Sequence, residues 1–254
     1  KEPIKLNILK LLYEAYGIIE EDFASAEIEV VPAYKARDVG FDRSMVVAYG
    51  QDDRICAYTS LHAILNIENP KRTAVALITD KEEVGSQGNT GMQSAFFENV
   101  IAELVELTME EPSEIMVKRT MANSRVLSAD VNAGFDPNFP DTHDKRNAAY
   151  LGIGVVLTKY TGARGKSGSN DASAEYIGEI RKIFNDNNVI WQMGELGKVD
   201  QGGGGTIAYI LANYGMDVVD CGPPLFSMHA PMELSSKLDL YMAYKGYKAF
   251  YNSK

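Results

Sequence analysis

Acidic residues and one histidine follow apolar or turn-forming stretches at four places in the sequence. Two aspartates come after the apolar run 45–49, two glutamates after 74–79, another aspartate after 125–128, and a histidine after the turn at 222–224. They are Asp52, Asp53, Glu82, Glu83, Asp130 and His229. Carboxylate and imidazole groups are the ligands of zinc, cobalt and manganese.

Taken singly, each of these groups has a simpler interpretation. Adjacent like charges such as Asp52-Asp53 and Glu82-Glu83 usually lie in solvated loops, and His229 alone is equally consistent with a structural role. The end of a strand, however, is partly buried, and an unpaired carboxylate there is costly. Several carboxylates that converge repel one another unless a cation neutralises them. The set together therefore predicts a metal site, and two ions bridged by one carboxylate form a known hydrolytic centre.

The other two histidines are predicted to lie outside this site. His62 falls within a predicted helix, where a structural role is expected, and His143 falls in a predicted exposed loop.

Glycine-rich stretches resemble nucleotide-binding motifs only in part. The stretch 165–167 lacks the earlier glycine of a phosphate-binding loop, because Tyr160 stands there. The pattern that begins at 152–154 has Leu157 in place of its third glycine. The run 202–205 precedes a predicted helix, so it could bind an anion, approach a peptide backbone closely, or form a plain loop.

The elements that must position these side chains alternate along the chain. Helices are predicted at 4–16, 55–67, 92–109, 172–184 and 206–214, and from Ser236 onward. Strands are predicted at 26–34, 45–49, 74–79, 115–117, 125–128, 153–157, 189–193 and 218–219. This alternation predicts an α/β fold with a largely parallel central sheet covered on both faces, whose ligands lie beyond the strand ends.

Composition restricts the class of partner and the compartment. The 254 residues carry a formal charge of −10, which disfavours nucleic acid and anionic membranes as partners. Only two cysteines, Cys56 and Cys221, are present, so no disulfide framework is expected and a cytoplasmic location is predicted. No apolar run is long enough to span a bilayer, and the first residues do not resemble a signal peptide.

Five ordered motifs carry a resemblance to a known family. They are the segments 49–54, 80–86, 128–130, 137–138 and 227–230. From about residue 10 to the end, the sequence resembles the M18 metallo-aminopeptidases, of the aspartyl aminopeptidase and aminopeptidase I types. Residues 197–201 and the glycine run make the bacterial branch the nearer likeness.

The resemblance implies a role for each residue of the set. Asp52 matches the carboxylate that bridges two metal ions, whereas Asp53 matches a neighbour that is not a ligand. Glu82 matches the general base, and Glu83 matches a ligand of one ion. The remaining matches are Asp130, a ligand of the other ion, and His229, a ligand of the ion that Glu83 binds. Residues Gly204, Gly205 and Met228 are expected to contact the peptide substrate.

The resemblance also implies an architecture and an assembly. Residues 45–254 are expected to form a three-layer α/β/α zinc-peptidase catalytic domain of the phosphorylase/hydrolase-like kind. Residues 1–44 are expected to be the end of an inserted, β-rich dimerisation domain. The expected assembly is a homo-oligomer, a dodecamer built from dimers. The expected cofactors are two divalent ions, zinc or else cobalt or manganese.

The sequence departs from the family pattern in two places. Family members carry a His-x-Asp motif ahead of the inserted domain, and no histidine here is followed two residues later by aspartate. We therefore expect that motif, with the front of the catalytic domain, to lie outside this sequence. Some members also carry histidines near the positions of Ala133 and Asp136, which bears on substrate recognition.

The implied function is a dinuclear metal-dependent aminopeptidase that removes the N-terminal residue of peptides. A water between the ions would attack the first peptide carbonyl, with Glu82 as general base. The alternative is a non-catalytic metal-binding or assembly subunit with an incomplete site. The residues do not distinguish an acidic from an apolar N-terminal preference.

Overall fold

The computed structural model describes residues 2–198 and 200–253, in two compact units that meet in sequence between Ala33 and Tyr34. The first unit contains the helices α1 (Pro3–Tyr16) and α2 (Glu20–Ser25). Helix α1 ends where predicted, because Gly17 adopts a left-handed conformation (φ 72°) and its amide donates to the carbonyl of Tyr13. The strand predicted at 26–34 is absent, and this segment has no regular secondary structure.

The second unit contains the remaining elements. Its helices are α3 (Gln51–Leu65), α4 (Phe96–Thr108), α5 (Glu114–Ala122), α6 (Ala174–Asp186), α7 (Ala208–Ala212) and α8 (Lys237–Tyr251). Its strands are β1 (Arg37–Val39), β2 (Met45–Ala48), β3 (Arg125–Ser128), β4 (Asn132–Ala133), β5 (Val155–Thr158), β6 (Tyr160–Ala163), β7 (Ser167–Asp171), β8 (Trp191–Met193), β9 (Asp217–Gly222), β10 (Pro224–Phe226) and β11 (Glu233–Ser236).

The strands form mixed sheets rather than one largely parallel sheet. One sheet has the order β3-β9-β5-β8, in which β3/β9 and β5/β8 are parallel and β5/β9 is antiparallel. A second has the order β1-β2-β11-β10-β4 and is antiparallel except at β10/β4. Strands β6 and β7 form a separate hairpin.

Alternate residues of the strands face opposite helical layers. Val219 of β9 packs in a buried cluster with Ile180 of α6 and Ala243 of α8. Its neighbour Val218 packs in another, which contains residues of α4, α5 and α7, among them Val105. Because side chains alternate across a strand, this division shows a sheet covered on both faces, as the α/β pattern predicts.

Two predicted strands of the second unit are also wrong. Residues 115–117 lie inside helix α5, where Met116 and Val117 pack against a buried cluster that contains Met121, whereas Ile115 is exposed. Residues 74–79 form no strand: in the described part of the chain they pair with no neighbour, and an isolated bridge joins Asp80 to Gly91. This segment and β3 line the same cavity of about 660 Å³, and in the described structure residues 74–79 make no backbone–backbone hydrogen bond.

Candidate metal centre

Asp52 lies at the start of helix α3, directly after strand β2. Gly50 makes the turn in a left-handed conformation (φ 66°). Asp52 itself has non-helical backbone angles (φ −69°, ψ 123°), and the peptide bond that joins it to Asp53 is cis. The side chain of Asp52 is only 5% exposed, so its carboxylate is held in a largely dry position.

Glu82 and Glu83 lie in one turn of 3-10 helix, Glu82–Val84. The turn is closed by the amide of Ser86, which donates to the carbonyl of Lys81 at 2.7 Å. Glu82 is half-buried, whereas the side chain of Glu83 is 48% exposed. The two adjacent carboxylates therefore face different environments.

Asp130 follows strand β3 and lies against strand β9. A Cβ atom at Gly222 would come within 1.9 Å of the carbonyl oxygen of Asp130. Glycine is therefore required at this position for the Asp130 segment to approach β9.

His229 lies in a turn between β10 and β11, where Ser227 (φ 56°) and His229 (φ 66°) both have left-handed backbones. Its Nε2 atom lies 3.0 Å from Asp52 Oδ2 and 3.1 Å from Glu83 Oε2. The imidazole therefore meets two carboxylates that come from distant parts of the sequence.

Among the described residues there are three sets of side chains whose donor atoms, within each set, all lie within 4.8 Å of one another. They are Asp52–Glu83–His229, Asp52–Asp53–Asp130 and Asp53–Glu82–Glu83. Asp52 belongs to the first two sets and Asp53 to the last two, although the resemblance gives Asp53 no ligand role. Of the two, only Asp52 shares a set with the histidine, which is the arrangement expected of a carboxylate shared by two ions. The six residues singled out in the sequence are thus brought together.

The electrostatics of the cluster fit a cation site. Burial, followed by the charges of Asp53 and Glu83, raises the pKa of Asp52 to about 8. Burial and the charge of Asp53 raise the pKa of Glu82 to about 7. Burial and the charge of Asp220 hold the pKa of Asp130 well above its usual range. Carboxylates that destabilise one another in this way are stabilised by a divalent ion. The residues of the cluster therefore suit a divalent metal ion.

The three predicted substrate contacts lie in two places. The carbonyl of Gly204 accepts from the amide of Gly162 at 3.0 Å, so the glycine run lies beside β6. Gly205 is next to Gly168, and the following helix begins only at Ala208. Met228 packs against the buried cluster of Ile55, Cys56, Val131 and Leu225. In the described structure no hydrogen bond joins Gly204 or Gly205 to the donor sets.

The other two histidines take no part in the donor sets. His62 packs against the ring of Tyr58, with ring centroids 4.2 Å apart. His143 follows the short 3-10 helix Pro140–Thr142 and is half-buried beside Phe135, rather than exposed as predicted.

Two acidic residues near the cluster were not singled out in the sequence. Glu233 is buried at the start of β11 and accepts backbone hydrogen bonds from the residues around Asp52 and His229. Asp220 is buried within β9 and accepts a hydrogen bond from the hydroxyl of Thr161 at 3.2 Å. Burial raises the pKa of Asp220 to about 6. The available signal was a charged residue inside the apolar run 218–221.

Comparison with known proteins decides the family. The model of the aminopeptidase I zinc metalloprotease family (M18) matches residues 1–251. The chain belongs to the M18 family. A relative from Clostridium acetobutylicum, named as a probable M18 family aminopeptidase 1, is 60% identical over 253 residues, which cover 100% of this chain and 54% of the relative. One of the same name from Thermotoga maritima is 51% identical, covering 98% of this chain and 55% of the relative.

Solved structures agree with the M18 assignment. The crystal structure of the Thermotoga maritima M18 aminopeptidase matches with a TM-score of 0.95 at 50% identity, covering 100% of this chain and 56% of that one. Aminopeptidase I from Clostridium acetobutylicum matches with a TM-score of 0.89 at 59% identity, covering 97% of this chain and 53% of that one. The chain thus spans about half the length of the M18 relatives it matches.

Proposed function

We propose that this chain carries the metal centre of a dinuclear aminopeptidase that hydrolyses the N-terminal residue from peptides. The observation that carries the proposal is the position of Asp52. Its carboxylate belongs to a donor set with Glu83 and His229 and also to a set with Asp130. A carboxylate in this position can bridge two ions, as in two-metal hydrolytic sites.

The donor types indicate which residues would hold each ion. Asp52, Glu83 and His229 would bind one ion, and Asp52 and Asp130 would bind the other. Two carboxylates and an imidazole suit zinc, with cobalt and manganese as alternatives. The family description names zinc.

Glu82 is the group that we assign to proton transfer. When bound, the ions supply a Lewis acid that polarises the scissile carbonyl and acidifies a water molecule. Glu82 lies outside the two donor sets that share Asp52, and burial raises its pKa to about 7. A carboxylate with a pKa near neutrality can take the proton of the attacking water and return it to the leaving amine.

The remaining assignments extend the proposal to the whole protein. We assign residues 45–254 to the catalytic domain and 1–44 to the end of a dimerisation domain. We assign Gly204, Gly205 and Met228 to peptide contacts.

We assign the assembly to a homo-oligomer, a dodecamer built from dimers. The dodecamer is suggested by the solved structure of the yeast mApe1 dodecamer, which is 22% identical to this chain. No helix in the described residues is long and apolar enough to cross a membrane, and we propose a cytoplasmic location.

The test is hydrolysis of aminoacyl substrates by the purified protein. The protein is stripped of metal, reloaded with zinc, cobalt or manganese, and assayed on a panel with acidic and apolar N-terminal residues. We expect release of the N-terminal residue, loss of turnover on chelation, and no cleavage of N-acetylated substrates. Tight metal binding without hydrolysis of any substrate would instead support the non-catalytic alternative, which the named relatives do not favour.

A further inference from the structure

Glu233 is a buried acidic residue that lies beside the donor sets but belongs to none of them. It begins strand β11 and is 2% exposed. An ionised carboxylate has only acceptors to offer, so in a dry position it must be satisfied by hydrogen-bond donors.

Three backbone amides donate to this one carboxylate. Oε2 accepts from the amides of Gln51 at 2.5 Å and Asp52 at 3.3 Å. Oε1 accepts from the amide of His229 at 2.9 Å. One side chain therefore connects the backbones of two proposed ligands, one at the start of α3 and the other in the turn after β10.

Glu233 itself is fixed by regular structure. It pairs with Ala48 in the antiparallel ladder of β11 and β2. The side-chain amide of Gln51 donates to the carbonyl of Glu233 at 2.6 Å and to that of Val46 at 3.2 Å. The carboxylate thus projects from a strand inside a sheet, with β2 on one side and β10 on the other.

The two ligands that it connects lie on irregular backbone. Asp52 has non-helical angles inside α3, and His229 has a positive φ. The side chain of His229 is 62% exposed, so packing does little to fix it. His229 Nε2 nevertheless lies only 3.0 Å from Asp52 Oδ2, so another interaction must hold the two residues in place.

We propose that Glu233 is a positioning residue that holds Asp52 and His229 at the separation needed to bind one ion. This inference rests on the proposed metal centre but not on peptide hydrolysis. A carboxylate is required because donors approach both of its oxygens. Glutamine would present an NH₂ group to one of these N–H donors, which loses an acceptor and places two donors face to face.

The test compares the metal affinity of Glu233→Gln with that of a matched control. Asp239→Asn is the control, because Asp239 is also a buried carboxylate that accepts two backbone amides, from Gly152 at 2.6 Å and Gly154 at 2.7 Å. Both variants remove a charged acceptor from buried amides, but Asp239 contacts none of the donor residues in the described structure. Zinc and cobalt affinities of the metal-free proteins are measured by competition titration, with the visible spectrum of bound cobalt as a second readout.

We expect Glu233→Gln to weaken metal affinity about 10- to 100-fold and to change the cobalt spectrum, as loss of a group that orients ligands does. Asp239→Asn should lower the urea midpoint yet leave the affinity within about twofold of wild type. Equal affinities in Glu233→Gln and wild type, or equal losses in the two variants, would overturn the proposal.

A measurement on the wild-type protein covers the case in which Glu233→Gln does not fold. Hydrogen exchange of the metal-free protein should show slow exchange at the amides of Gln51, Asp52 and His229. Exchange at His229 as fast as in an open turn would overturn the proposal. A wild-type protein that binds zinc but cleaves no peptide would contradict the proposed function alone, because neither measurement uses turnover.

Discussion

Asp52 and His229 show at the scale of single residues why the proposed centre needs several parts of the chain. Their side chains meet at 3.0 Å, although one follows β2 and the other follows β10. An imidazole beside two carboxylates contributes little to stability when its side chain is 62% exposed. We therefore assign its role to metal binding, where each additional ligand raises affinity.

Replacing His229 by alanine tests this interpretation. We expect His229→Ala to weaken zinc affinity by more than about tenfold while the metal-free protein keeps its melting temperature, because an exposed side chain contributes little to stability. His62→Ala is the control, since His62 belongs to no donor set. Isothermal titration gives the affinities, and unchanged zinc binding in His229→Ala would refute its assignment as a ligand.

Glu82 is tested by a change that keeps its shape and removes its charge. We expect Glu82→Gln to retain bound zinc and to lower kcat by about 10²- to 10⁴-fold, the usual contribution of general acid–base catalysis. Asp80→Asn is a matched control in the same loop, because Asp80 is exposed and belongs to no donor set. Metal content is measured alongside kcat, and near wild-type turnover in Glu82→Gln would contradict the assignment.

At the scale of elements, periodicity predicted the helices that pack on the sheet better than the strands. Helix α6 was predicted at 172–184 and lies at Ala174–Asp186, because its apolar residues Tyr176, Ile180 and Phe184 follow the helical period and are buried. The segment 74–79 is apolar enough for a buried strand but has no pairing partner among the described residues. Strand formation depends on such a partner, which a local pattern does not contain.

Gly222 shows how an element positions a site residue. In Gly222→Ala the new methyl group would lie 1.9 Å from the carbonyl oxygen of Asp130, so β9 or the Asp130 segment must move. We expect a loss of about 1–3 kcal/mol in the free energy of unfolding and a measurable weakening of zinc affinity.

The control for this change is another glycine-to-alanine substitution. A Cβ atom at Gly178, within α6, would meet nothing within 4 Å. Gly178→Ala should therefore raise stability, by up to about 1 kcal/mol. Urea denaturation gives the free energy of unfolding of both variants. An unchanged free energy of unfolding in Gly222→Ala would show that the close approach of Asp130 to Gly222 is not required.

At the scale of the whole molecule, the sequence indicated which acidic residues and which histidine cluster, but not which residue positions them. The six residues of the donor sets were recognisable because each follows an apolar or turn-forming stretch. Glu233 was not, because Glu233 and Ser235 form the buried face of β11 at 2% and 0% exposure. The polar face of an alternating strand ordinarily points to solvent. The polar face of β11 is buried because backbone amides from other segments donate to the carboxylate of Glu233.

The clustered carboxylates also predict how the stability of the whole protein depends on pH without metal. The folded-state pKa is about 8 for Asp52 and about 7 for Glu82, against ordinary values of 3.8 and 4.5. The folded protein thus binds more protons than the unfolded chain between these limits. The contribution of Asp52 and Glu82 to the stability of the folded protein therefore falls as the pH rises from about 4 to about 8. With chelator present, we expect a lower melting temperature at pH 8 than at pH 5.5, by roughly 2–4 °C for each kcal/mol lost.

Saturating zinc should reverse this loss of melting temperature at pH 8, because the ion binds the ionised carboxylates of the folded state. Asp52→Asn removes the more strongly shifted of Asp52 and Glu82 and should flatten the pH dependence of the metal-free protein. A melting temperature that rises with pH in chelator, or that zinc leaves unchanged at pH 8, would mean that these carboxylates do not form one interacting cluster.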